Sequence, residues 1–332
     1  MTSTLTERSQ TVHLTCEFFS ATHAAQLLST LGFKWNIIQL NKGPLRGCFH
    51  LKRCGSIVLM SVQANRELLF QGNRNSAFIP IGLEFNNQSD NYRVRGEAIK
   101  PLSIYGFHLD YSDIFFKSPG GCHFSFALFP RHRLQHLHER ESNGQLMEKF
   151  ETTNSLELEF NSYTALAKLM AFVPNQQSCE TNGDLHGELL EAQLIDCCTS
   201  ISTQNLHPLP PSSSRIGLMQ DLMRWGFKNS SQPISLNDLA TTILASRTTI
   251  CEASRELFGV GPMTLLKQIR LQQVQAVLRD VDLQQQINCF TVMKISNYYG
   301  FQSRNHFAND YRKQFGETPR ETLNRGTGNR VR

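Results

Sequence analysis

Two stretches of this chain hold residues suited to reading a nucleic-acid surface. In residues 235–259, SLNDLATTILASRTTICEASRELFG, Ser246 is followed at once by Arg247 and Thr248 and, a turn later, by Cys251. In residues 291–315, TVMKISNYYGFQSRNHFANDYRKQF, Ser303 is followed by Arg304 and Asn305 and, a turn later, by Asn309. The start of a helix leaves backbone N–H groups without internal partners, and serine is among the residues that cap them. That end of a helix carries partial positive charge and suits an anion such as phosphate. Arginine donates two parallel hydrogen bonds to guanine O6 and N7, and asparagine pairs in the same way with adenine N6 and N7. Base contacts are therefore expected from Arg247, Thr248, Cys251, Arg304, Asn305 and Asn309. Ser246, Ser303, Arg312, Lys313 and Arg320 are expected at phosphates.

Those residues must be held at the exposed start of a helix that another helix supports. Ser235 begins Ser-Leu-Asn-Asp, a capping-box pattern with Asp in the last place, and predicts a short helix burying Leu239 and Ala240. A tight turn at Leu244-Ala245 leads to the helix capped by Ser246, with Ile250 facing inward. The second stretch repeats the plan. Val292 and Ile295 face inward, Gly300 permits the turn, and Phe307 and Tyr311 at i, i+4 face the core. Between the two runs residues 262–279 form a third predicted helix, started by Pro262, with Leu271, Val274 and Leu278 on its apolar side. Such a helix is about 25 Å long at 1.5 Å per residue. That length suits two recognition helices spaced about 34 Å apart, one turn of DNA, on the same face of a duplex.

Taken together, these residues resemble the DNA-binding domain of AraC/XylS-type regulators over residues 216–324. The resemblance is carried by Leu239-Ala240, Ser246-Arg247, Gly259-Val260-Gly261-Pro262, Arg270-Leu271, Ile295, Gly300-Phe301, His306-Phe307, Tyr311-Arg312, Phe315-Gly316 and Pro319. Within that family, residues 258–262 and 307–311 are most similar to regulators of ethanolamine-utilisation operons, and the region from Trp35 to Phe49 resembles them more faintly. The resemblance implies a sensing domain joined to a DNA reader, and control of nearby transcription. For an effector it implies ethanolamine or a cobalamin; no bound cofactor is expected. Expected partners are double-stranded DNA, then RNA polymerase and a second copy of the chain, with no membrane. Three positions depart from the family pattern. Ser254 stands where Phe is usual, Ser296 replaces Ala, and Glu252 occupies a site where many relatives place a basic or amide residue.

The first two thirds read differently. Ile37-Ile38, residues 57–60, 68–70, 78–81 and 124–129 are short β-prone runs, separated by turn signals such as Asn41-Lys42-Gly43-Pro44 and Pro119-Gly120-Gly121. They predict a sandwich or small barrel. A short helix is expected within residues 12–31, with Ala24, Leu27, Leu28 and Leu31 on one face. From about residue 142 the spacing of Leu146, Phe150, Leu166, Leu169, Met170, Phe172, Leu189, Leu190, Leu194 and Ile195 turns helical; these helices would support dimerisation. The run QNLHPLPPSSS at 204–214 breaks any regular element. The expected organisation is an α+β chain with a β-rich sensor and trailing helices over 1–203, a linker at 204–215, an all-α reader with two helix-turn-helix units at 216–324, and a disordered tail at 325–332.

Charge follows the same division. Residues 216–332 carry 15 Lys/Arg against 9 Asp/Glu, whereas residues 1–215 carry 18 against 19. The positive excess sits with the part expected to neutralise phosphates. The N-terminus lacks a signal peptide's basic start and apolar run, and no stretch approaches the roughly 20 apolar residues needed to span a bilayer, so a cytoplasmic protein is expected. The nine cysteines have irregular spacing that matches no zinc motif. No catalytic fingerprint for nucleotide binding or serine hydrolysis is present, and neither catalytic nor metal residues are expected. The rival reading is a β-barrel metal enzyme with a helical protein-interaction module. It requires His50, His108 and His123 to converge. A weaker pairing of His132 and His136, beside His138, falls in a charged run.

Overall fold

The computed structural model describes residues 13–86, 88–140, 145–171, 183–199, 214–232 and 234–328. The chain begins with β1 (His13–Phe18), α1 (Ala21–Thr30), β2 (Trp35–Gln39), β3 (Gly47–Cys54), β4 (Ile57–Ala64), β5 (Leu68–Asn73) and β6 (Phe78–Glu84). It continues through β7 (Arg93–Val94), β8 (Glu97–Ala98), β9 (Ser103–Tyr105), β10 (Asp113–Ser118) and β11 (Cys122–Pro130). Then come α2 (Arg131–Arg140), α3 (Gln145–Thr152), β12 (Ser155–Glu157), α4 (Phe160–Met170) and α5 (Gly183–Thr199).

The strands form two antiparallel sheets, one of order β1-β3-β4-β11-β6-β9-β12 and one of order β2-β5-β10-β7-β8. Between them lies an aromatic core that includes Phe18, Phe49, Met60, Phe70, Phe116 and Phe124. All the predicted apolar runs lie within strands. The outer face of the larger sheet carries Leu59, Ile81, Leu83 and Ala127, and helices α2–α5 cover it with Phe150, Leu166, Leu190 and Leu194. Alternation along a strand sends successive side chains to opposite faces. In the smaller sheet the paired residues Ile37, Phe70 and Phe116 therefore point into the sandwich, and Ile38, Leu69 and Phe115 point out of it.

The remaining chain is helical: α6 (Ser214–Lys228), α7 (Leu236–Thr242), α8 (Arg247–Phe258), α9 (Pro262–Arg279), α10 (Val281–Gln286), α11 (Val292–Tyr298), α12 (Arg304–Phe315) and α13 (Pro319–Gly328). Helix α6 starts inside the span expected to be linker, and residues 204–213 lie outside the described ones. The last helix runs to Gly328 rather than stopping at 324: Glu317 pairs with Arg325 and so ties the final turn to the preceding loop. Near the N-terminus the expected helix is shorter, because residues 13–18 pair with β3 as a strand. Phe172 and the last four residues also lie outside the described ones.

Helix α9 is the axis of the helical part. Leu265, Leu266 and Ile269, in its first half, join Leu239, Ile250 and Phe258 in one core. Leu271, Val274 and Leu278, in its second half, join Ile295, Phe307, Tyr311 and Phe315 in another. One 18-residue helix thus supplies the floor of both small units.

Candidate nucleic-acid interface

The two units share a construction. Helices α7 and α11 each have seven residues, and α8 and α12 each have twelve. Ser235 and Asp238 form a reciprocal capping box at the start of α7, while Thr291 caps α11 by accepting from the Lys294 N–H. Ser246 accepts from the Thr249 N–H at 3.1 Å, and Ser303 accepts from the His306 N–H at 3.5 Å. Both longer helices end at a left-handed glycine, Gly259 at φ +74° and Gly316 at φ +75°. The turn before each longer helix also needs a left-handed residue, which is Gly300 in the second unit and Leu244 in the first.

The first turns of α8 and α12 are open to solvent. Arg247, Thr248, Arg304, Asn305 and Asn309 are exposed, as are Ser246 and Ser303; Cys251 is half-buried. Ile250 and Phe307, one helical turn from the caps, point into the two cores. Arg312, Lys313 and Arg320 are exposed near the end of α12 and the start of α13. Ser246 and Ser303 stand 57 residues apart. The same offset places Arg247 opposite Arg304, Thr248 opposite Asn305 and Glu252 opposite Asn309. Arg247 donates to Asn237 Oδ1 at 3.1 Å, so its guanidinium is partly engaged within the protein. His306 and Thr249, which the sequence did not assign to base or phosphate contact, share the exposed first turns.

The three departures from the family pattern have local explanations. Ser254 is fully buried and donates to the Val260 carbonyl at 2.7 Å, so its hydroxyl is satisfied. Ser296 is buried and donates to the Met293 carbonyl at 3.0 Å. Glu252 lies 3.4 Å from Arg215 on α6, which also holds Glu256. That pairing offsets the negative charge Glu252 would present beside a phosphate.

The β-sandwich half holds a second candidate site. A cavity of about 70 Å³ lies among the aromatic side chains between the sheets, with Trp35, Phe49, Tyr105 and Phe124 on its wall. One water needs roughly 10–15 Å³ on this measure, so the space holds several non-hydrogen atoms. Tyr105 is buried with no partner for its hydroxyl, and burial raises its pKa well above the ordinary value. Arg95 and Asp113, an ion pair at 2.8 Å, also line the cavity, as does Tyr111, over whose ring the Arg95 guanidinium lies at 4.2 Å.

The histidines named by the rival reading do not form a common centre. His50 Nδ1 is 3.1 Å from Thr15 Oγ1, His123 Nε2 is 3.4 Å from Ser61 Oγ, and His108 Nδ1 accepts from the Asp110 N–H. Burial lowers the pKa of all three. His132 and His136 are exposed on α2. Among the described residues no three His, Cys, Asp or Glu side chains gather as metal ligands would. Burial also raises the pKa of Cys48, Cys54 and Cys122, in the case of Cys54 to about 11, which disfavours reactive thiolates. Among the described residues no helix is long and apolar enough to cross a membrane.

Two capped helices with open first turns, mounted on one connecting helix, define a DNA-binding regulator of the helix-turn-helix class. Residues 239–325 match the helix-turn-helix domain family. The "XylDLEGF operon transcriptional activator 2" of Pseudomonas putida is 28% identical over 129 residues, covering 37% of this chain and 80% of that protein. A probable AraC family transcriptional regulator from Rhodopseudomonas palustris, known by crystal structure, is 30% identical; the match covers 33% of this chain and 97% of that one, with a TM-score of 0.29. A structure of ToxT from Vibrio cholerae is 12% identical, covering 95% of this chain and 98% of that one, with a TM-score of 0.31. The family model and the curated relative support an AraC-family helix-turn-helix DNA-binding transcriptional regulator.

Proposed function

We propose that this chain is a one-component regulator that sets α8 and α12 into successive major grooves of one duplex. Arg247, Thr248 and Cys251 read bases from the first unit, and Arg304, Asn305 and Asn309 from the second. Ser246, Ser303, Arg312, Lys313 and Arg320 engage phosphates and set the register. The observation that carries this reading is the pair of solvent-open, serine-capped helix starts on either side of α9. Selection of bound duplexes from a random library by the full-length chain tests it. An enriched bipartite sequence with half-sites about one helical turn apart, bound less tightly as salt rises, supports the reading. Enrichment of no sequence contradicts it.

The sensor would bind a compact effector in the aromatic cavity, and the product of regulation would be activation, as the name of the Pseudomonas relative says of that protein. Of the two effectors implied by the ethanolamine-operon resemblance, the cavity suits ethanolamine. An ammonium group can rest against aromatic faces, and a hydroxyl can meet the unpartnered Tyr105 Oη. A cobalamin is far larger than about 70 Å³. Calorimetric titration with ethanolamine tests this assignment: saturable binding lost in Tyr105→Phe supports it, and no heat of binding contradicts it. RNA polymerase and a second copy of the chain remain the expected protein partners.

A further inference from the structure

The sensor does more than sit beside the reader, because one short stretch of it touches the first unit, the connecting helix and the second unit in turn. Ile38 and Leu40 enter the core of the first unit, where Phe115 also meets Phe258 at a ring separation of 5.9 Å. Next along the chain, the Gln39 N–H donates to Gln272 Oε1 at 2.8 Å, and Gln268 Nε2 donates to the Leu40 carbonyl at 2.8 Å; both partners are on α9. The loop that follows meets the end of α12. The Gly43 N–H donates to the Gln314 carbonyl at 2.8 Å, and Gln314 Nε2 donates back to the carbonyls of Gln39 and Asn41 at 3.3 and 3.4 Å. Pro44 lies so close to Gly316 that a Cβ there would sit 2.9 Å from the ring.

Chemistry distinguishes this contact from general apolar docking. Gln39, Gln268, Gln272 and Gln314 are all nearly or fully buried. Burying an amide is unfavourable unless it is hydrogen-bonded, and its bonds are directional. An apolar patch can slide; a set of amide-to-backbone bonds fixes register. The contact also leaves the reading surface free, since Arg247, Thr248, Arg304, Asn305 and Asn309 are exposed while the sensor is docked.

We infer that residues 38–44 of the sensor act as a splint that fixes the second recognition helix relative to the first, so that the docked chain selects the spacing between two half-sites. Gln272 and Gln314 are positioning residues in this account. The inference rests on the proposed DNA reading, and deepens it by assigning part of the spacing selectivity to the sensor. One added base pair displaces the far half-site by about 3.4 Å and turns it by about 35°. A splinted pair of helices follows such a change poorly, whereas α9 alone can flex.

The test uses the full-length chain. Its preferred duplex is first selected from a random library, and a second duplex is made with one base pair inserted between the half-sites. Binding to both is measured by fluorescence anisotropy for the wild type, Gln314→Leu and Gln272→Leu, with thermal unfolding checked for each. The wild type should prefer the selected spacing, and each variant should lose about fivefold of that preference, mainly by binding the expanded duplex better. An unchanged preference in both folded variants overturns the splint. So does an equal loss of affinity for both duplexes, which marks a merely structural role. If no duplex is selected at all, the DNA reading itself fails first, and the splint falls with it.

Discussion

The two helix-turn-helix units share a plan and differ in what fills it. In the second unit the position of Tyr311 is a fully buried aromatic whose hydroxyl donates to Thr322 at 2.9 Å; in the first, the equivalent Ser254 is small and bonds its own chain. The second unit therefore holds itself together with the aromatic run Phe301, Phe307, Tyr311 and Phe315. The first unit borrows instead. Its core includes Ile38, Leu69 and Phe115 from the smaller sheet of the sandwich. Arg215 of α6 pairs with its two glutamates. A unit with a self-sufficient core can tolerate separation from the β-sandwich, and a unit that shares its core cannot.

Core truncation should expose this contrast most strongly. Tyr311→Ala is expected to cost about 3–5 kcal/mol in the second unit, measured by urea denaturation of the full chain; a loss below about 1 kcal/mol would place the stability elsewhere. Next in size is the effect on recognition. Arg304→Ala should weaken binding to the selected duplex by about 1–3 kcal/mol, read by gel shift. Arg247→Ala should weaken it less, because Arg247 gives up its bond to Asn237 when it turns to a base. Equal losses would contradict that ranking. In the first unit Ser254→Ala removes the bond to Val260 and should cost about 1 kcal/mol; stability unchanged by calorimetry would show that the hydroxyl is dispensable.

The smallest effect is at the turns. Leu244 sits at φ +53° and is almost fully exposed, where the second unit has Gly300 at φ +78°. Leu244→Gly relieves left-handed strain and should raise stability by about 0.5–1 kcal/mol, while Gly300→Ala should lower it by a similar amount. Melting curves moving together in the same direction would show that the two turns are not equivalent.

What could be read from the residues follows from how local each signal is. Serine caps, the apolar i, i+4 pairs and the glycine turn act within one helical turn, so the two units were visible without coordinates. Apolar runs such as 57–60 and 124–129 announced strands, but not that β11 lies between β4 and β6. The short strands β7, β8, β9 and β12 carry too few residues to show alternation. The buried glutamines were invisible because glutamine usually marks a solvated surface, and their partners lie in sequence-distant strands and loops, as with Gln39 and Gln272. The cavity is a gap among aromatics drawn from many strands, and no periodicity reports a gap. Cys251 was placed with the base readers by correspondence with the family and by helix position, and it is half-buried where Arg247 and Thr248 are exposed.

Bipartite recognition requires α8 and α12 to enter two grooves of one duplex. Hydroxyl-radical and methylation footprinting of the full chain on its selected duplex addresses this directly. Two protected major-groove segments about one turn apart are expected, one lost in Arg247→Ala and the other in Arg304→Ala. A single protected segment, or one pattern common to both variants, would contradict it.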